Sequence, residues 1–168
     1  MSLDAWVDWA QSIQDTPFGT ALAESPVAFP VIEGLHLIGL SISVGLLFLV
    51  DLRLLGWLLV DVPATRVLRA LRPWSLAGFA LVFVTGGLLF WAEAATLVAS
   101  PAFPFKLLFI ALAGANAAYF EVVIARRPSL ELGGVAPPRA ARAAGAASLL
   151  LWSAVIVCGR LIPYVTHW

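Results

Sequence analysis

Charge is what this sequence has least of. Lys, Arg, Asp and Glu make up 12% of its 168 residues, where a soluble domain carries about a quarter. That shortage excludes a disordered chain, a nucleic-acid binder and an ordinary soluble enzyme. The 10 basic and 10 acidic residues cancel, so no net field draws nucleic acid or an acidic substrate toward it. Cys158 is the single cysteine, which rules out an internal disulfide and any CxxC metal or redox motif. Basic residues are missing before Arg53; the first charges are Asp4, Asp8 and Asp15. A secretory signal would open with a basic stretch, so this N-terminal segment is expected to be retained.

Apolar residues fill the gap, at 61% of the chain with a mean hydropathy of +0.95. A helix needs about 20 mostly apolar residues to cross the roughly 30 Å hydrocarbon layer. Four segments meet that need, at about 29–59, 74–98, 105–125 and 143–165. In lipid their backbone groups must pair internally, so all four are helices. The expected fold is all-α: a transmembrane four-helix bundle forming one integral membrane domain over residues 1–168. Ser25-Pro26, Pro73 and Pro104 are read as helix starts. The stretch 63–71 reads as a short surface helix and 128–138 as a flexible loop.

Residues 2–14 follow a different pattern. Leu3, Trp6, Val7, Ala10 and Ile13 fall on one side of a helix, Asp4, Asp8 and Gln11 on the other, with Ser2 as a cap. This amphipathic helix lies on the membrane or on a partner, or closes its own bundle as a lid. Its acidic face is a poor match for anionic lipid and favours the lid or an interface anchor. Trp9 sits off the apolar stripe, which suggests contact with lipid or a partner.

Arginine sets the direction of the spans. Arg66, Arg69 and Arg72 lie in the first connection, Arg126, Arg127, Arg139 and Arg142 in the third, and the second has no basic residue. The positive-inside rule then makes the first and third connections cytoplasmic. Both termini, and the amphipathic helix, are expected in the periplasm, with the spans in a bacterial inner membrane. Trp57, Trp74, Trp91 and Trp168 mark expected membrane interfaces.

An ionisable group inside a span is costly unless paired, so each is a candidate functional residue. Glu33, His36, Glu93, Lys106, Arg160, Tyr164 and Trp91 fall in the outer half. Two acids and two bases balance, so one reading is a pair of ion bridges stapling the helix ends. The other is a pocket for a small hydrophobic ligand, with polar groups in an apolar slot. Asp51, Arg53, Asn116 and Glu121 form an inner set, read as an ionic latch between Arg53 and Asp51 or Glu121. Gly34, Gly39, Gly45, Gly78, Gly86 and Gly87 let helices approach closely.

Several chemistries are weighed at His36. A b-type haem wants axial histidines, and only His36 and His167 exist. A quinone needs fewer groups. Proton-coupled transport would use Glu33 and His36 as carriers, but no inverted repeat is visible. Glu33 and His36 are spaced as in carboxylate-bridged metal bundles, yet no second such pair exists, so no metal site is expected. Cys158 has no histidine nearby in its segment and reads as a core residue.

The run FPVIEGLHLIGLSISVGLLFLVDLRLLG over 29–56 is joined by RPWSLAGF, FPFKLLFIALAGANAAYF and GRLIPY. Together these resemble a family of small bacterial inner-membrane proteins of unknown function, over most of residues 17–165. The most specific parts are Pro30-x-x-Glu33-x-x-His36, Asp51-Leu-Arg53 and Gly159-Arg160. The resemblance implies four spans and offers no catalytic residue to carry over. A looser likeness to membrane b-type cytochromes and copper-resistance membrane proteins rests on topology alone. The expected function is that of a non-enzymatic membrane protein. It serves as an accessory or scaffold subunit, with a protein partner or a second copy, or binds a small hydrophobic ligand through the outer cluster. The alternatives are electron transfer through b-type haem or quinone at His36, and a small proton-coupled transporter.

Overall fold

The computed structural model describes residues 3–125, 128–131 and 136–165. Ser2, Arg126, Arg127, His167 and Trp168, each given a role above, lie outside the described residues. The elements are α1 (Leu3–Gln14), α2 (Pro17–Ala23), α3 (Ala28–Leu55), α4 (Ala64–Ala99), α5 (Ala102–Tyr119) and α6 (Arg139–Leu161). No strand occurs among the described residues, so the fold is all-α as its composition demands. Four helices are long and apolar enough to cross a membrane. Only 17–28% of each apolar window is buried within the chain. Leu37, Ile38, Phe83, Val84, Leu107, Leu108 and Leu150 all face outward. In water that surface would aggregate; in lipid it is solvated. The chain is a multi-pass membrane protein.

Close packing begins where α3 crosses α4. Gly39 and Ser43 on α3 meet Gly78 on α4. A Cβ at Gly78 would lie 2.8 Å from the Ser43 amide nitrogen, and one at Gly39 2.9 Å from Val82 Cγ2. The Ser43 hydroxyl, fully buried, donates back to the Gly39 carbonyl at 2.8 Å. Ser75 donates across to the Ser43 carbonyl at 3.1 Å. Small side chains and a hydroxyl thus replace the hydrophobic drive that lipid removes. Gly145 does the same for α6, whose backbone rests on Asp51 and Leu54 of α3. Asn116 of α5 donates to the Ala144 carbonyl of α6 at 3.0 Å. The helices therefore run α4, α3, α6, α5 in space, and α4 touches α5 little beyond their short connection. Phe79 of α4 and Trp152 of α6 tilt together at 4.8 Å, so the mid-span Trp packs inside the bundle.

The buried apolar core sits at the arginine-rich end. Val50, Leu54, Val67, Phe120, Ile124, Leu130 and Ala141 form it. The chain after α5 continues as a π-helical turn over Phe120–Ile124. That wider turn carries both Phe120 and Ile124 into the core. Trp57 and Trp74 flank this end, both strongly exposed, as interface residues should be.

Element boundaries differ from the sequence reading in several places; α3 ends at Leu55 rather than near 59, and α6 runs Arg139–Leu161 rather than 143–165. Pro73 lies inside α4, which begins at Ala64 and absorbs the stretch expected to be a separate surface helix. The carbonyl that Pro73 leaves without a donor belongs to Arg69, on an exposed turn where water reaches it. α3 starts at Ala28, after a turn that contains Pro26; Ser25 still accepts the Ala28 N–H at 3.0 Å. Pro128–Leu130 is a short 3-10 turn within the segment read as a loop.

α1, the lid helix, packs along the far end of α4. Ala10 is fully buried there, while Trp6 and Trp9 stay half-exposed, edge to face at 6.0 Å. Two side-chain bonds clamp the lid. Trp91 Nε1 donates to Thr16 Oγ1 at 2.9 Å, and Phe18 meets the Trp91 ring edge-on at 5.3 Å. Gln14 Oε1 accepts the Ala95 N–H at 3.1 Å. That amide follows a break in α4 at Glu93, whose φ and ψ are −132° and 31°. A side chain of the lid thus satisfies a backbone donor beside the kink. Gln14→Ala is expected to cost about 1 kcal/mol of stability and to speed hydrogen exchange at Ala95. Unchanged exchange there would show that Gln14 does not hold the kink.

Candidate functional site

The lid end gathers the ionisable residues. Glu33 and His36 stand one turn apart on α3. The imidazole of His36 lies against Gly86 of α4, where a Cβ would come within 3.1 Å of Cε1. Glycine at that point is what admits the ring. Thr85, the neighbour of Gly86, supplies the polar contact. Its hydroxyl donates to the Leu81 carbonyl at 2.6 Å and stands 2.9 Å from His36 Nδ1. A hydroxyl has one proton to give. Since Thr85 gives its proton to Leu81, it accepts from His36 Nδ1–H. The neutral ring then carries its lone pair on Nε2.

Lys106 reaches in from the first turns of α5. It is half-buried, with its amine over Gly159 of α6, where a Cβ would stand 3.4 Å from Nζ. The amine is also near enough to His36 and to Cys158 to act on both electrostatically. Glu93 sits at the α4 break, close enough to Glu33 for the two carboxyls to interact, like sign against like. So α3, α4 and α5 bring His36, Glu33, Glu93 and Lys106 to one end of the bundle.

The ion pairs expected there do not form. Among the described residues the salt bridges are Arg69–Glu131 at 3.8 Å and Arg72–Glu121 at 3.3 Å, both exposed at the opposite end. Arg160 turns outward and lies over the Tyr164 ring, 5.6 Å from its centroid. It staples no acid, because one helical turn brings Tyr164 rather than a carboxylate to its side. Trp91 belongs to the lid clamp. Of the seven outer residues picked from sequence, four converge and three serve elsewhere. Thr85 has no place in the sequence reading, and Gly86 stands there only as a packing glycine. A threonine beside a glycine gives no signal until the helix facing them is known.

The inner set does not make a latch. Asp51 and Arg53 are two residues apart, hence on opposite sides of α3. Asp51 is 3% exposed, takes a hydrogen bond from Ser148 of α6, and has Oδ2 without a partner among the described residues. Arg53 is 1% exposed and turns to the α3–α4 connection instead. Its Nε donates to the Val62 carbonyl at 2.7 Å and Nη2 to Val60 at 3.2 Å; Nη1 has no partner among the described residues. Glu121 pairs with Arg72, and Asn116 holds the α6 backbone. No cluster of three or more His, Cys, Asp or Glu residues able to hold a metal occurs among the described residues.

The chain belongs to a family of unknown function, DUF6644, whose model matches residues 9–165. No curated protein and no solved structure matches it. The resemblance drawn from the sequence motifs is thereby met, and it brings no activity with it.

Proposed function

We propose that this DUF6644 member is a non-enzymatic membrane protein that binds a small amphipathic ligand of the membrane phase at the lid end. One observation carries the reading. Four ionisable side chains from three apolar helices meet there, and none is neutralised by an ion pair among the described residues. His36 and Lys106 are half-buried and Glu33 and Glu93 exposed; half-buried ionisable groups on apolar helices without such partners point to a polar ligand that completes them. His36 offers the Nε2 lone pair, Lys106 offers N–H donors, and the two acids offer acceptors. A quinone-class head group fits this set. In the quinol form one hydroxyl donates to Nε2 and the oxygen of the other accepts from Lys106; in the quinone form only the Lys106 bond to a carbonyl remains. The tail leaves through the open side between α4 and α5. By the positive-inside rule the arginine-rich end faces the cytoplasm. In a bacterial inner membrane the site then opens in the periplasmic half, with both termini outside.

The test is a titration of the protein in nanodiscs with a short-tailed quinol kept reduced, followed by thermal shift and tryptophan quenching. Saturable binding is expected, weakened about tenfold or more by His36→Ala or Lys106→Ala. Arg160→Ala, outside the cluster, serves as the control and leaves binding unchanged. No saturable signal, or an equal loss with Arg160→Ala, overturns the reading.

A second reading rests on the Thr85 contact. A histidine whose Nδ1–H is anchored presents Nε2 in the orientation that metal-bound histidines use. A b-type haem at His36 is therefore the competing ligand. A Soret band in the purified protein, lost in His36→Ala, would replace quinone with haem.

A further inference from the structure

The opposite end of the bundle carries a second site. We propose that the groove between the α3–α4 connection and the start of α6 holds the phosphate of an anionic phospholipid headgroup. The groove encloses about 410 Å³ and is lined by Arg53, Gly56, Trp57, Val60, Pro137 and Arg142.

Arg53 carries the argument. It is 1% exposed, and Nε and Nη2 are spent on the Val62 and Val60 carbonyls. Nη1 is buried with no hydrogen-bond partner among the described residues, and Arg53 is one of the residues that line the groove. A guanidinium held rigidly with one N–H edge unsatisfied is a fixed donor for a phosphate oxygen. Arg142, from the first turn of α6, supplies a second cation on the opposite wall.

Local charge agrees. Arg69 and Arg72 are paired with Glu131 and Glu121. Arg66, Arg139 and Arg142 have no ion pair among the described residues, and Asp61 is the acid within the α3–α4 connection. This end is therefore cationic where the groove opens. The surroundings select a lipid over a free anion. Trp57 is 73% exposed at the rim, followed by exposed Leu58 and Leu59. An amphipathic ring and leucines beside a basic pocket match the headgroup–acyl boundary.

Arg142→Gln is the decisive variant, because Arg142 makes no bond that the fold needs. The protein is purified in mild detergent, and phosphatidylglycerol and phosphatidylcholine are compared by native mass spectrometry and thermal shift. Selective retention of phosphatidylglycerol is expected, weakened about fivefold by Arg142→Gln. Arg66→Gln and Arg139→Gln lie outside the groove and should weaken it less. Losses of equal size at all three positions would mean diffuse surface charge and overturn the site. Inorganic phosphate is the second probe. Stabilisation by phosphate equal to that by phosphatidylglycerol would overturn the lipid in favour of the free anion. No preference for phosphatidylglycerol over phosphatidylcholine would overturn the proposal outright.

Discussion

Gly78→Ala is expected to destabilise the protein by about 1–3 kcal/mol, and Gly78→Leu to prevent the native packing of α3 on α4. The added Cβ would stand 2.8 Å from the Ser43 nitrogen and 3.1 Å from the Gly39 carbonyl oxygen. Both are backbone atoms of a packed helix, so no rotamer change relieves the clash. The helices must separate, and the Ser75 bond to the Ser43 carbonyl goes with them. In lipid nothing compensates, since moving apolar groups apart costs little there and gains nothing. Gly34→Ala and Gly45→Ala are the matched controls. Nothing lies within 4 Å of a Cβ at either position, so both should be neutral or gain about 0.5–1 kcal/mol of helix propensity. The measurement is thermal unfolding in one detergent, followed by tryptophan fluorescence. If Gly78→Ala melts with Gly45→Ala, the α3–α4 contact is looser than its geometry says.

That contrast shows what the sequence reveals and what it withholds. Six glycines in the first two spans look alike in the sequence, yet Gly39, Gly78 and Gly86 meet a neighbour while Gly34, Gly45 and Gly87 face open space. The spans themselves were legible, because a bilayer selects on length and hydropathy, and both are local properties. The all-α class and the lid's amphipathic stripe were legible for the same reason. Pairing was not. Equal numbers of acids and bases at one depth suggested two ion bridges, but pairing depends on where each side chain points around its helix. Arg160 points at Tyr164. The rejected latch between Asp51 and Arg53 was decidable from spacing alone, since residues two apart on a helix diverge. The bond from His36 to Thr85 was not decidable, because its partner is 49 positions away. Nor was the break at Glu93, which a side chain of another helix stabilises.

Arg53→Ala should be the most damaging single change at the arginine-rich end, with an expected loss of about 3 kcal/mol or more. The connection it holds is strained. α3 ends on Gly56 at φ +79°, which glycine adopts freely, but Leu59 sits at φ +51°. A leucine in that left-handed region costs about 1–2 kcal/mol. The Val60 and Val62 carbonyls flanking the next turn are held by Arg53 at 3.2 and 2.7 Å. A charged donor at each carbonyl offsets the strain and fixes the start of α4. Removing the guanidinium leaves two acceptors beside a cavity under the connection. Arg53→Lys keeps the charge but has one nitrogen in place of three, so it should recover part of the loss. Arg142→Ala, on the surface across the groove, should shift stability by no more than about 0.5 kcal/mol. Melting curves in phosphatidylcholine nanodiscs separate these cases without the proposed lipid present. Wild-type melting of Arg53→Ala would show that water, not Arg53, satisfies Val60 and Val62. The bond pattern would then be a consequence of the connection's shape rather than its cause.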